Sequence, residues 1–336
     1  DFEKSHRFVG SALEHGHLEL AQWLVPRVNK VSRLAWMQAA VKSGDLEALK
    51  WAHSFFGREG SPSSIVNAAA EGGHMEILKW LLEYYDGFCF ALERALIEAA
   101  GRGRLDIVRL LLERDSTICS NAVYVAAAAH GHLELIRWLH DNWNERCTTE
   151  VMDAAAGNGH LDLVKWLHGN RAEGCTKAAM DTAAGNGHLE VVKWLRYNRW
   201  EGCTTRAMNS AAKKGFLGIV KWLLKYQCEA CSMHAVDFAA AEGHLETVKV
   251  LVESGTSCTN CAMDDAAANG HLETVKWLHE HGKECTTRAM DQAAKNGHFD
   301  MVLWLDSHRT EGCTDAAINL AATCGHLNIV RWLHEK

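Results

Sequence analysis

A glycine that recurs along the whole chain constrains the fold more than any other feature. In half of the copies it is followed by histidine, leucine and an acidic residue, and neighbouring copies lie 27 to 30 residues apart. A unit of this length cannot bury its own apolar face and must stack on its neighbours, so the period predicts a solenoid. The twelve glycines are Gly16, Gly44, Gly73, Gly103, Gly131, Gly159, Gly187, Gly215, Gly243, Gly270, Gly297 and Gly325.

Each unit has the pattern of two helices joined by a tight turn. In the copy that begins at Cys285, two threonines of the helix-capping type precede alanines and methionine at helical spacing. Gly297 stands where a left-handed residue ends a helix, and a second apolar run follows at once. We therefore predict an all-α solenoid of about twelve stacked helix–turn–helix units over residues 1–336. Irregular, longer repeats occupy about 30–118 and regular repeats about 119–336.

Two further ladders follow the same period. Small residues, usually a pair of alanines, come four and three residues before most of the glycines, which lets neighbouring first helices approach closely. Ten of the 13 tryptophans come seven residues after a repeat glycine, and we predict that they form inter-repeat core, with an aromatic binding surface as the alternative. Trp143 and Trp200 stand outside this ladder and are either exposed interface anchors or buried under a loop. The ladder members are Trp23, Trp51, Trp80, Trp138, Trp166, Trp194, Trp222, Trp277, Trp304 and Trp332.

The units resemble ankyrin repeats. Residues 183–195 read AAGNGHLEVVKWL, close to the family pattern in which the first helix ends in Ala-Ala-x-x-Gly-His and the second reads Leu-Glu-x-Val-Lys-x-Leu. The usual ankyrin unit has 33 residues and opens with Thr-Pro-Leu-His. This chain has units of about 28 residues, and Arg288 to Asp291 stand at that opening. We therefore expect the β-hairpin fingers to be shortened or absent. Short repeats of this type resemble those of oomycete proteins.

Composition and motifs exclude several functions. The formal net charge is −7, from 35 basic and 42 acidic residues mixed along the chain, and no basic stripe predicts a nucleic-acid partner. No apolar run reaches the roughly 20 residues of a membrane span. We find no nucleophile with a base and no phosphate-binding glycine loop. We therefore predict no enzyme activity, no cofactor, no metal and no small-molecule substrate.

Twelve cysteines raise the question of cross-links. Eight of them follow the repeat, and stacked helices lie about 8–10 Å apart, too far for a disulfide between equivalent positions. We read them as small buried hydrophobes in the cytoplasm or another reducing compartment, with secretion by a microbe into host cytoplasm as the alternative. Structural zinc remains open only for Cys228, Cys231, Cys258 and Cys261, which form two Cys-x-x-Cys pairs.

The positions that vary most between units predict where a partner binds. The ankyrin resemblance implies a non-enzymatic scaffold that binds another protein on the concave surface lined by the first helices. Alternatives are the recognition arm of a larger enzyme or receptor, or a microbial effector that captures host proteins. The unit of Lys213 departs furthest, because Phe216 replaces the histidine and Gly218 the acid. The candidate contact residues are Lys177, Thr182, Arg206, Ser210, Lys213, Lys214, His234, Phe238, Glu242, Asp265, Asn269, Arg288, Gln292 and Lys295.

Overall fold

The fold is a series of helix pairs. The structure, a computed structural model, describes residues 5–27, 33–55, 63–85, 92–143, 147–226 and 232–336, and in these ranges it contains 24 α-helices and no β-strand. Odd-numbered helices are the first helices of their units and even-numbered helices the second. Their bounds are α1 Ser5–Glu14, α2 Leu18–Leu24, α3 Arg33–Ser43, α4 Leu46–Ser54, α5 Ser63–Gly72, α6 Met75–Tyr84, α7 Leu92–Gly101, α8 Leu105–Arg114, α9 Asn121–Ala129, α10 Leu133–Asn142, α11 Thr149–Gly157, α12 Leu161–Asn170, α13 Lys177–Gly185, α14 Leu189–Asn198, α15 Thr205–Lys213, α16 Leu217–Lys225, α17 Met233–Ala241, α18 Leu245–Glu253, α19 Cys261–Ala268, α20 Leu272–Glu280, α21 Thr287–Lys295, α22 Phe299–His308, α23 Asp315–Thr323 and α24 Leu327–Glu335.

The helices form two compact units, Asp1–Val151 and Met152–Lys336. In the first unit, successive first helices pack on one another from α1 to α9; in the second they do so from α13 to α23. The all-α repeat architecture and the loss of β-hairpin fingers are confirmed for the described residues. Residues 171–176 alone connect α12 to α13, which leaves no room for a hairpin. A single array over residues 1–336 stays a prediction.

The repeat glycine ends the first helix as the sequence predicts. Gly187 has a φ of +90°, and the N–H of His188 donates to the carbonyl oxygen of Ala183 at 2.9 Å. The N–H of Gly187 donates to the carbonyl oxygen of Ala184, which completes the bond pattern of a helix ended by a left-handed residue. The turn therefore satisfies the carbonyl oxygens of Ala183 and Ala184 within its own unit.

The histidine after the glycine links one unit to the next. His188 precedes α14 but makes no side-chain capping bond. Its ring instead covers Gly159 of the preceding unit, where an added Cβ would lie 2.5 Å from the ring Nδ1 atom. Rings and glycines are paired in the same way at His244 and Gly215.

The tryptophan ladder is not part of the buried core, which corrects our prediction. Nine of its members are half-buried, and Trp23 is 58% exposed. A second helix presents one side to the stack, and in α14 that side is filled by Val191, Val192 and Leu195, all buried. The ladder rings lie beside this layer and pack on side chains one turn later, as Trp277 stacks on His281 with centroids 3.8 Å apart.

Buried aspartates join consecutive units in the regular region. Asp264 of α19 is only 3% exposed and accepts hydrogen bonds from the N–H and the hydroxyl of Thr286, both at 2.7 Å. Thr286 in turn caps α21 by accepting from the N–H of Arg288. The same pairing joins Asp153 to Thr176, Asp181 to Thr204, Asp237 to Thr259 and Asp291 to Thr314.

Candidate functional site

All fourteen predicted contact residues belong to the first helices of the second compact unit. They lie on α13, α15, α17, α19 and α21 or at the residue that ends one of them, and these helices pack in that order. Eleven are exposed, and Ser210, Asp265 and Gln292 are half-buried. The structure therefore places the whole set along one row of helices, which we call the first-helix face.

The centre of this face combines a basic group with an exposed aromatic ring. Phe238 of α17 is 41% exposed, and the Nζ atom of Lys213 lies 6.0 Å from its ring centroid. The same ammonium group is 3.9 Å from the carboxylate of Glu242, and both side chains are about half exposed. An ion pair so open to water contributes little to stability, so Lys213 and Glu242 are available to other partners.

A second cluster lies further along the face. The guanidinium of Arg288 in α21 is 2.9 Å from a carboxylate oxygen of Asp265 in α19. Arg288 is half exposed, whereas the Asp265 side chain is the more covered partner. The arrangement holds a planar cation at the surface, where it can bind carboxylates with two parallel hydrogen bonds.

Three predicted contact residues have a structural task instead. The amide of Asn269 donates to the carbonyl oxygen of Ala241 in the preceding unit at 2.7 Å. The hydroxyl of Thr182 donates to the carbonyl oxygen of Ala178 within its own helix. Ser210 fits against Gly185, where an added Cβ would lie 2.8 Å from the serine Cβ. Asn269 and Ser210 therefore contact the preceding unit, whereas Thr182 bonds within its own helix.

An Arg-x-Glu clasp, which the sequence analysis missed, fixes the loop after three of the second helices. In the clearest copy, the Arg199 guanidinium donates to both carboxylate oxygens of Glu201, and both side chains are largely covered. Arg199 also approaches Nδ1 of His168 in the preceding unit at 3.4 Å. The signal was visible as an arginine two residues before a glutamate at Arg171 and Glu173, Arg199 and Glu201, and Arg309 and Glu311.

Burial suppresses the reactivity of several described cysteines that follow the repeat. Burial, with a smaller contribution from Glu201, raises the pKa of the Cys175 thiol to about 12, so it is neutral at pH 7. Burial also raises the pKa of Cys258 and Cys285. Four ladder cysteines are buried as predicted, whereas Cys313 is exposed because its loop lies near the end of the stack.

The structure describes only two of the four cysteines that were considered as zinc ligands. Cys228 and Cys231 lie outside the described residues, while Cys258 is half-buried and Cys261 is exposed. Among the ranges that the structure describes, no three His, Cys, Asp or Glu side chains are placed to hold a metal ion. In those same ranges no helix is long and apolar enough to cross a membrane.

The geometry defines a helix-pair repeat protein whose surface varies along its first helices. A family model of ankyrin repeats matches residues 36–123, 122–206, 180–262, 208–289 and 263–336. The chain belongs to the ankyrin repeat family, whose members generally serve as protein–protein interaction modules.

Two solved structures are similar to the chain. The crystal structure of the human ASB11 ankyrin repeat domain is 20% identical, with a TM-score of 0.44, over 54% of this chain and 96% of that one. The crystal structure of the pentatricopeptide repeat protein PPR10 from maize is 12% identical, with a TM-score of 0.40, over 97% of this chain and 56% of that one. A comparison with curated proteins finds no match.

Proposed function

We propose that this protein is a non-enzymatic scaffold that binds another protein on the first-helix face. The observation that carries the proposal is the exposed Phe238 ring between the ammonium group of Lys213 and the ring of His234 on a row of packed helices. Aromatic side chains with nearby cations are frequent anchors of protein interfaces.

The difference between repeated and variable residues within each unit supports this proposal. Residues that repeat, such as the Asp264 and Thr286 pair, hold consecutive units together. Residues that vary, such as Lys213, Phe238 and Arg288, are exposed, and the contacts that they make between units are open to water. A partner would therefore meet a preformed surface, and little conformational entropy is lost on binding.

Quantitative affinity capture tests the proposal. The wild-type protein is compared with Lys213→Ala/Lys214→Ala/Phe238→Ala, and captured proteins are measured by mass spectrometry. We expect the principal captured protein to fall at least about tenfold, since removal of a central anchor typically costs 2 kcal/mol or more.

The control variant changes two lysines that lie on second helices. Lys249 and Lys276 each pair with a glutamate three residues earlier, at 2.7 Å. Lys249→Ala/Lys276→Ala should retain the captured protein within about twofold, because exposed pairs of this kind contribute only tenths of a kcal/mol. Capture by the triple variant equal to wild type would contradict the proposed face.

A further inference from the structure

Trp200 is the most exposed large apolar side chain in the described part of the chain, at 87%. Tyr197, one turn earlier at the end of α14, comes next at 65%. Both residues lie on the side of the second helices, and neither belongs to the first-helix face. Exposed aromatic rings of this size mark interaction sites when they are held in place.

The loop that carries Trp200 is held in place by the Arg-x-Glu clasp. Arg199 and Glu201 are paired on either side of it, and its own N–H donates to a carboxylate oxygen of Glu201 at 3.1 Å. The two other clasps carry Ala172 and Thr310 at the equivalent position. The clasp therefore does not need a tryptophan at this position.

Tyr197 departs from the repeat in the same way. The other clasp units carry Gly169 and Ser307 at its position. Its ring meets Tyr226 at the end of α16 edge to face, with centroids 6.1 Å apart. The aromatic group therefore extends across two neighbouring units.

Two lysines of α16 place positive charge beside these rings. Residues 202–226 carry five basic side chains and no acidic one; Lys221 and Lys225 lie on α16, and the other three belong to the first-helix face. Lys221 and Lys225 lie one turn apart on α16, and Gly218 stands where other second helices carry the acid that pairs with such a lysine. The Nζ atom of Lys225 lies 5.5 Å from the centroid of the Tyr226 ring.

The basic stretch is short, and its length favours a short acidic partner over a long one. Residues 232–284, which follow it, carry nine acidic and three basic side chains. A long polyanion such as nucleic acid would extend over these acidic units and be repelled, whereas a short acidic segment would not. The rings favour a segment that also contains an apolar side chain.

Arg196 is exposed in the last turn of α14. We propose that Tyr197, Trp200 and Tyr226, with Arg196 and Lys225, form a second docking surface that binds a short acidic peptide segment of another protein. The apolar side chain of the segment packs on Trp200 and Tyr197, and its carboxylates meet Arg196 and Lys225. This surface shares no residue with the first-helix face, so its test stands apart from that of the proposed function.

A peptide-display selection tests this surface. Random 12-residue peptides are selected on wild-type protein and then depleted on Trp200→Ala/Lys225→Glu. Both substitutions restore residues that other units carry at these positions, Ala172 and Glu253, so the variant should fold; circular dichroism and thermal unfolding verify this. We expect the retained peptides to combine aspartate or glutamate with an apolar residue.

One selected peptide is then synthesised, and its affinities for the wild-type protein and for single variants test the proposed surface. Fluorescence anisotropy should show a Kd at least about tenfold weaker for Trp200→Ala alone, and binding that weakens with salt. Thr310→Ala changes the same position of another clasp and should leave the Kd within about twofold. The proposal is overturned if no peptide separates the two proteins, if the separating peptides are not acidic, or if a dT12 oligonucleotide binds more tightly and with the same dependence on Trp200.

Discussion

The carboxylate of Asp264 is the most stringent test of how consecutive units are joined. Asp264→Ala removes the two hydrogen bonds from Thr286 and leaves the N–H and hydroxyl of this exposed threonine without their buried acceptor. A hydrogen bond to a charged group is worth about 1.5–3 kcal/mol, and water that enters the space recovers part of the loss. We expect the free energy of unfolding to fall by about 3 kcal/mol, measured by urea denaturation followed by circular dichroism.

The matched variant is Asp264→Asn, which keeps the shape of the side chain. Its amide oxygen accepts from the N–H of Thr286, and its amide nitrogen donates to the hydroxyl oxygen. The chain uses a related arrangement elsewhere, where the hydroxyl of Ser232 donates to Oδ1 of Asn209 at 2.7 Å. We expect a loss of about 1 kcal/mol. The reasoning is refuted if the alanine variant loses less than about 0.5 kcal/mol, or if asparagine costs as much as alanine.

Two other predictions concern the turn and the thiols. Gly243→Ala should lower the free energy of unfolding, measured by urea denaturation, by about 3 kcal/mol, because φ is +73° and the added Cβ would lie 2.5 Å from the ring of His271. Gly325→Ala, with a φ of +80° and no atom nearby, should lower it by only about 1–2 kcal/mol. Equal losses would contradict the packing of the ring on the glycine. Native protein treated with iodoacetamide at pH 8 should be labelled at the exposed Cys261 long before the buried Cys175. The pKa of about 12 for Cys175 leaves only about one thiol in ten thousand as thiolate at this pH. Equal labelling rates, measured by peptide mass spectrometry, would show that Cys175 is not buried.

The helix pairs could be predicted because their signals are local. The alanines before Gly187 and the apolar run after it fix both helices and the turn within thirteen residues, 183–195. The left-handed conformation of Gly187 then follows from its place at the end of a helix. The same reasoning predicted the loss of the β-hairpin fingers, since the shorter period leaves no residues for them.

Contacts between units were harder to predict because they depend on stacking. Asp264 and Thr286 are 22 residues apart, and only the packing of α19 on α21 brings them together. Asn269 was taken as a partner-binding residue because it varies, yet its amide bonds to the preceding unit. The tryptophans were expected in the core because they recur, but a recurring residue at the edge of a second helix is only half covered.

Trp200 of the second docking surface shows what the sequence could predict about this site and what required the structure. Trp200 could be identified in the sequence as a tryptophan outside the ladder, but its exposure could not. The clasp formed by Arg199 and Glu201 decides between exposure and burial, because it holds the loop while leaving the side chain between them in solvent. Departure from the repeat indicates function only where the structure shows that the residue has no packing task.

Amide hydrogen exchange tests the first-helix face most directly. The protein is measured alone and in complex with the protein it captures most strongly, with peptides that separate first from second helices. We predict added protection in α15, α17 and α19, centred on Phe238, and unchanged exchange in α18 and α20. Protection confined to the second helices or to the loops between units would contradict the account.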